Sequence, residues 1–202
     1  VHNTKLDTHE ILDTQKISGS LHGLQIAVPR WSPDGKQIAF IGGLMSDQGV
    51  TGGDIYLIPS TGGEPKDITP GRAASVAYLG WIRDNMLGIA EHAGGSTHLA
   101  ALRTDTGQTI PALEETLPET IWASDLTMSV SVARNHTIAI VRSSFEHPPE
   151  VWAGHFNDLE QITHLNDGLK PLWGRTENIE WTNEGFHVQG WLLYPHDYDP
   201  AK

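Results

Sequence analysis

Apolar and polar positions alternate along this chain in short runs that turn residues close. Ile38 and Phe40 flank Ala39 in one run, and Ile55, Tyr56, Leu57 and Ile58 form another, rich in β-branched and aromatic residues, that ends at Gly62-Gly63. Ahead of the first run stands Trp31-Ser32-Pro33-Asp34-Gly35. Pro33 presets a turn, Asp34 can hydrogen-bond its own backbone, and Gly35 accepts the positive φ that a hairpin turn or bulge requires. The chain therefore reverses between Trp31 and Lys36, and the two runs read as strands of an antiparallel meander.

The pattern recurs with a period of about 50 residues, the range of propeller repeats. Trp81-Ile82-Arg83-Asp84-Asn85 repeats the turn and precedes Met86 to Ala90. Ala133-Arg134-Asn135-His136 repeats it again, ahead of Ile138-Ala139-Ile140. The run Ile55–Ile58, with Thr61 to Glu64 after it, matches Leu99–Leu102 with Asp105 to Gln108, and then Val151-Trp152 with a shorter loop. Two units end alike, in Asp67-Ile68-Thr69 and Gln161-Ile162-Thr163. Three copies carrying about four strand signals each predict an all-β fold, a partial β-propeller of four-stranded antiparallel blades. A β-sandwich also has regularly spaced strands, but it does not explain why one turn chemistry returns at a fixed period. The expected blades are 21–72, 73–125 and 126–172, with 1–20 the outer strands of a preceding blade. Two blade faces, one at each end of this arc, are expected to be open, and to drive self-association or contact with other domains. Val1 in place of a start methionine points to processing or truncation.

Composition narrows the field. The chain has 202 residues, 38% of them hydrophobic, with 21 Gly and 12 Pro, and a net charge of −12. With no basic stripe, a nucleic-acid partner would be repelled over most of the surface. No apolar run reaches the ~18 residues of a membrane span, so no membrane partner is expected and a soluble, cytoplasmic or periplasmic protein is. The absence of cysteine removes disulfides, thiolate metal sites and a cysteine nucleophile.

From Asn178 the pattern changes. Ile179, Trp181, the turn Asn183-Glu184-Gly185, then Val188, Trp191, Leu193 and Tyr194 before Pro195 predict a hairpin unlike the blades. Glu180, Glu184-Gly185, the run Val188-Gln189-Gly190-Trp191-Leu192-Leu193-Tyr194-Pro195 and Tyr198-Asp199-Pro200 resemble the passage from propeller into α/β-hydrolase domain in the prolyl oligopeptidase family of serine peptidases. The likeness is greatest to acylaminoacyl-peptidases and dipeptidyl-peptidase-like members. The blade motifs resemble the same group and TolB-type propellers. The resemblance implies that 173–202 is the linker and first hairpin of a hydrolase domain. It also implies a parent enzyme that cleaves short peptides by Ser-His-Asp acyl transfer, with the propeller restricting access. A non-catalytic TolB-like propeller that binds a protein partner is the alternative.

The catalytic parts of that family are not in this sequence. No Gly-x-Ser-x-Gly elbow occurs; Ser96 is nearest, with His98 where the second Gly would stand, and His92-Ala93-Gly94-Gly95 only superficially resembles an oxyanion segment, at the repeat phase of Ile41-Gly42-Gly43. No activity is expected of the chain alone. Eleven histidines form no metal motif, and Asp47, Asp54 and Asp67 form no calcium loop, so neither metal nor cofactor is expected. Glu114-Glu115, in the long connection Ala112 to Thr120, is the weak candidate for binding a substrate's free amino terminus, a use implied by the dipeptidyl-peptidase relatives. Arg72, Arg83 and Arg142 are candidates for a channel mouth or for the face toward the hydrolase domain, and the seven tryptophans for inter-blade core.

Overall fold

A computed structural model describes residues 9–46, 49–117, 120–121, 123–124, 127–133, 135–156 and 158–199. The first sheet has the order β1 (Gln25–Trp31), β2 (Gln37–Ser46), β3 (Gly49–Pro59), β4 (Lys66–Asp67). The second repeats it with β5 (Ser75–Arg83), β6 (Met86–Ala93), β7 (Ser96–Arg103) and β8 (Thr109–Leu117). In the third, β9 (Thr120–Ile121) pairs with the far end of a central strand. After a small hairpin of β10 (Ala123–Ser124) and β11 (Thr127–Met128), the sheet runs β12 (Val130–Val132), β13 (Ile138–Ser143), β14 (Glu150–His155), β15 (Asp158–Gln161). The expected fold is present: antiparallel meanders stacked as the blades of a partial propeller, with no helix among the described residues.

Local chemistry sets each turn. Ser32 Oγ donates to Asp34 Oδ1 at 2.8 Å and accepts from the Gln37 N–H at 2.9 Å, while Lys36 N–H donates to Asp34 Oδ1 and Gly35 has φ 71°. The Ser32 hydroxyl, then the Lys36 N–H and ammonium, hold the Asp34 carboxyl down at about 2. In the inner strand, Val28 sits at φ 55° beside a break in the β1–β2 register, a bulge that bends the strand.

Because side chains alternate across a strand, each blade has two apolar faces. One face of the first, Ala39, Ile41, Ile55 and Leu57, buries against Val76, Leu79, Leu87, Ile89, Ala100 and Leu102 of the second. The second blade's other face, Ala77, Ala90 and Leu99, meets Ile138, Ile140 and Trp152 of the third. Each Val, Leu or Ile side chain among them is worth ~1.5–3 kcal/mol when fully buried.

The remaining face of the first blade, Ile38, Phe40, Tyr56 and Ile58, is not open as expected. Residues 9–20, part of the stretch where outer strands of a preceding blade were predicted, hold turns, and with residues 21–24 they lay Ile11, Leu12, Ile17, Leu21 and Leu24 across it. The Ser20 and Tyr56 hydroxyls pair at 2.9 Å. At the other end, Ala139, Val141 and Val151 of the third blade stay partly exposed around a shallow cavity of 280 Å³.

Trp81 and Trp152 pack against the inter-blade clusters as expected, whereas Trp31, Trp173, Trp181 and Trp191 do not. Trp122 lies outside the described residues, and none of the other six is buried. Indole N–H groups need acceptors, which holds them at rims. Trp81 donates to the Arg30 carbonyl and Trp173 to that of Phe145, both at 2.9 Å.

The C-terminal hairpin is separate from the blades: β16 (Thr176–Asn183) pairs with β17 (Phe186–Leu193) around Glu184 (φ 50°) and Gly185 (φ 85°). Two successive positive φ values make a type I′ turn, whose twist suits a tight hairpin.

Candidate functional site

Antiparallel meanders put the β2–β3, β6–β7 and β13–β14 connections at one end of the blades and the turns at Asp34, Asp84 and Thr104–Gly107 at the other. Near the first end the three sheets share one cross-strand position. Gly42 faces Asp54, Glu91 faces His98, and Arg142 faces Glu150.

In two blades a threonine from the last repeated tripeptide clips that position. Thr69 Oγ1 accepts from the Ile55 N–H at 2.8 Å and donates to Asp54 Oδ1 at 3.2 Å. Thr163 Oγ1 accepts from the Val151 N–H at 2.8 Å and donates to Glu150, which also accepts from the Asn166 N–H. Burial, and then the nearby charge of Asp67, push the Asp54 carboxyl up, against the pull of the Thr69 bond. The Glu150 carboxyl is held down, first by the Thr163 hydroxyl.

The second blade replaces the clip with charge. Glu91 is 1% exposed, and its carboxylate accepts from Arg72 Nε at 2.7 Å and Nη2 at 2.5 Å, and meets His98 Nδ1 at 2.6 Å. Arg72 lies in the crossover from the first blade, so the cluster joins two blades. A bidentate guanidinium–carboxylate pair fixes the carboxylate in one orientation. A histidine oriented by a carboxylate also has the form of a base and its orienter. Among the described residues His98 has no hydroxyl partner. Next to it, burial lowers the pKa of His92.

The third blade offers a cleft of 440 Å³ lined by Arg142, His147, Glu150, Trp152, Gln161 and Asp167 among others. The Arg142 guanidinium lies over the Trp152 ring at 4.3 Å.

Of the residues singled out in the sequence, Arg72 and Arg142 stand at this end, whereas Arg83 is exposed at the opposite one, beside the Asp84-Asn85 turn. Glu114 and Glu115 are on β8, paired in register with Ala100 and Leu99 rather than on a loop; their side chains lie outside the described ones. Asp47 also lies outside the described residues. Among those described, no three His, Asp or Glu residues gather as a metal site. Gly94-Gly95 is the two-residue turn between β6 and β7, whereas Gly42 and Gly43 lie inside β2, so the two pairs do not share a repeat phase.

The C-terminal hairpin docks at the same end. Asn178 Nδ2 donates to the Gly94 carbonyl at 2.8 Å and Gln189 Nε2 to Asn178 Oδ1 at 2.7 Å. Phe145, in the β13–β14 connection, packs against Trp173 and Trp191 with ring centroids 6.5 and 5.3 Å away. The Gly94 carbonyl is thus an acceptor aimed at the hairpin, the reverse of an oxyanion donor.

No protein-family model matches the sequence, and no curated protein does. Solved structures do match in fold. Puromycin hydrolase superposes with a TM-score of 0.57 at 16% identity over 83% of this chain and 25% of its own. AtxE2 isopeptidase gives 0.57 at 14% over 86% and 26%. An oligogalacturonate lyase in complex with manganese gives 0.52 at 13% over 86% and 49%. The chain spans about a quarter of the length of the first two. At these identities the likeness is one of fold, shared by proteins whose names span different chemistries.

Proposed function

We propose that this chain is the substrate-gating propeller portion of a serine peptidase of the prolyl oligopeptidase type, one that hydrolyses short peptides with a triad carried outside these residues. The observation that carries the reading is the hairpin β16–β17. It bears the Gly190-Trp191-Leu192-Leu193-Tyr194-Pro195 motif, leaves the blade pattern, and is held against the β6–β7 turn by Asn178. Two propeller-containing neighbours named as a hydrolase and an isopeptidase, each about four times as long as the matched part, support it. In this reading the far face of the third blade is covered by another blade of the same ring, and Glu114 and Glu115 hold a substrate's free amino group.

The test pairs the 202-residue chain with the product of its whole gene. A fluorophosphonate probe should label a serine only in the whole product, which should also cleave acyl-peptide, dipeptidyl or prolyl chromogenic substrates. Stoichiometric labelling of the short chain, or an inert whole product, overturns the reading. With Glu114→Ala and Glu115→Ala, KM should rise for substrates with a free amino terminus and stay unchanged for acylated ones.

A further inference from the structure

The blades meet the C-terminal hairpin at two places, where Phe145 packs on Trp191 and at the Gly94-Gly95 turn. The Gly94 carbonyl accepts from Asn178, and Asn178 in turn holds the Gln189 amide. Gly95 stands against that amide. A Cβ on Gly95 would come 2.5 Å from Gln189 Nε2 and 3.0 Å from Trp191 Nε1, while a Cβ on Gly94 meets nothing within 4 Å. Both glycines have positive φ, 56° and 79°. Backbone strain from a side chain is therefore of the same kind at the two positions, but only a side chain at Gly95 would meet the hairpin.

We propose that the Gly94-Gly95 turn is a latch that fixes the orientation of β16–β17 on the propeller. Gly95 provides the missing side-chain volume into which Gln189 and Trp191 fit, and Gly94 the carbonyl that Asn178 grips. Two strands of a hairpin are marginal in water unless something packs on them, so releasing the latch loosens the hairpin as a unit. The turn itself is stiff, because the strands behind it are tied by Glu91 and His98 to Arg72 in the neighbouring crossover. The latch belongs to this chain's own contacts and stands apart from the peptidase reading.

Hydrogen exchange on the 202-residue chain tests it, with the Glu177 to Leu192 amides as reporter and those of Leu87 to Ala90 as internal control. Gly95→Ala evicts the Gln189 amide from its bond to Asn178 and should speed exchange in β16–β17 by roughly tenfold or more while the control holds. Asn178→Ala, at an exposed position, should do the same without any change in the turn. Gly94→Ala should leave the hairpin's exchange within about twofold of the parent. Equal effects of Gly94→Ala and Gly95→Ala would assign the change to backbone strain and overturn the latch. Unchanged hairpin exchange in both Gly95→Ala and Asn178→Ala would overturn it as well.

Discussion

The first and second blades solve one structural problem in opposite ways. Where β2 gives way to β3, a neutral hydroxyl, Thr69, closes the outer edge of its own blade onto Asp54 and the Ile55 N–H. Where β6 gives way to β7, Glu91 reaches across to Arg72 in the crossover and to His98 in its own sheet. The clip is local and finishes a blade; the charged cluster spans two. A repeated fold thus varies its joints while keeping its strands, and the joint that spans two blades stands directly behind the turn that meets the hairpin.

Removing the charged joint should cost most. Glu91→Ala leaves Arg72 and His98 facing a buried gap, and should destabilise the chain by about 3 kcal/mol in urea unfolding, the low end for a broken buried pair because both partners reach water. A loss equal to or below that from the clip would erase the distinction between the two joints. Thr69→Val keeps the shape but strands the buried Ile55 N–H, so about 1–2 kcal/mol is expected. Thr163→Val, less buried, should fall below it.

The smallest effect is one of pH and separates two carboxylates of the first blade by sign. Asp54 is pushed up, so its favourable contribution is full below the ordinary carboxylate value of 3.8 and is lost as pH rises through the raised folded value. Asp54→Asn should therefore be at least as stable as the parent at pH 7 and lose that advantage in acid. Asp34 is held at about 2, so its contribution is present above 3.8 and disappears as pH falls toward 2. The Asp34→Asn deficit should then be present at pH 7 and vanish near pH 2. Matching pH profiles for the two variants would contradict the opposite environments assigned to them.

The turns were legible because the backbone there demands particular residues: Pro33, Asp34 and Gly35 have few alternatives, and alternation placed Ile38, Phe40, Ile55, Leu57, Leu87, Ile89, Ile138 and Ile140 inside the blades, where all are buried. The Glu91–His98 pair was half legible. Gly94-Gly95 is itself a two-residue turn signal, and setting the turn there puts Glu91 opposite His98. Arg72 carries no such signal, since what brings it to Glu91 is the packing of one sheet on the next. Trp31, Trp173, Trp181 and Trp191 were misread because size argues for burial while the indole N–H argues for an edge, and sequence does not say which wins. Residues 9–20 were misread as strands because an apolar row at Ile11, Leu12 and Ile17 serves equally well as a cap over a blade face.

That cap also sets a limit on side-chain size. Leu21 is 2% exposed, and the space its methyl group occupies is the one a side chain on Gly42 would need, with the Tyr56 ring 2.9 Å away on the other side. A mutation enlarging residue 42 therefore demands that both Leu21 and the Tyr56 ring give way, so the three positions constrain one another's size.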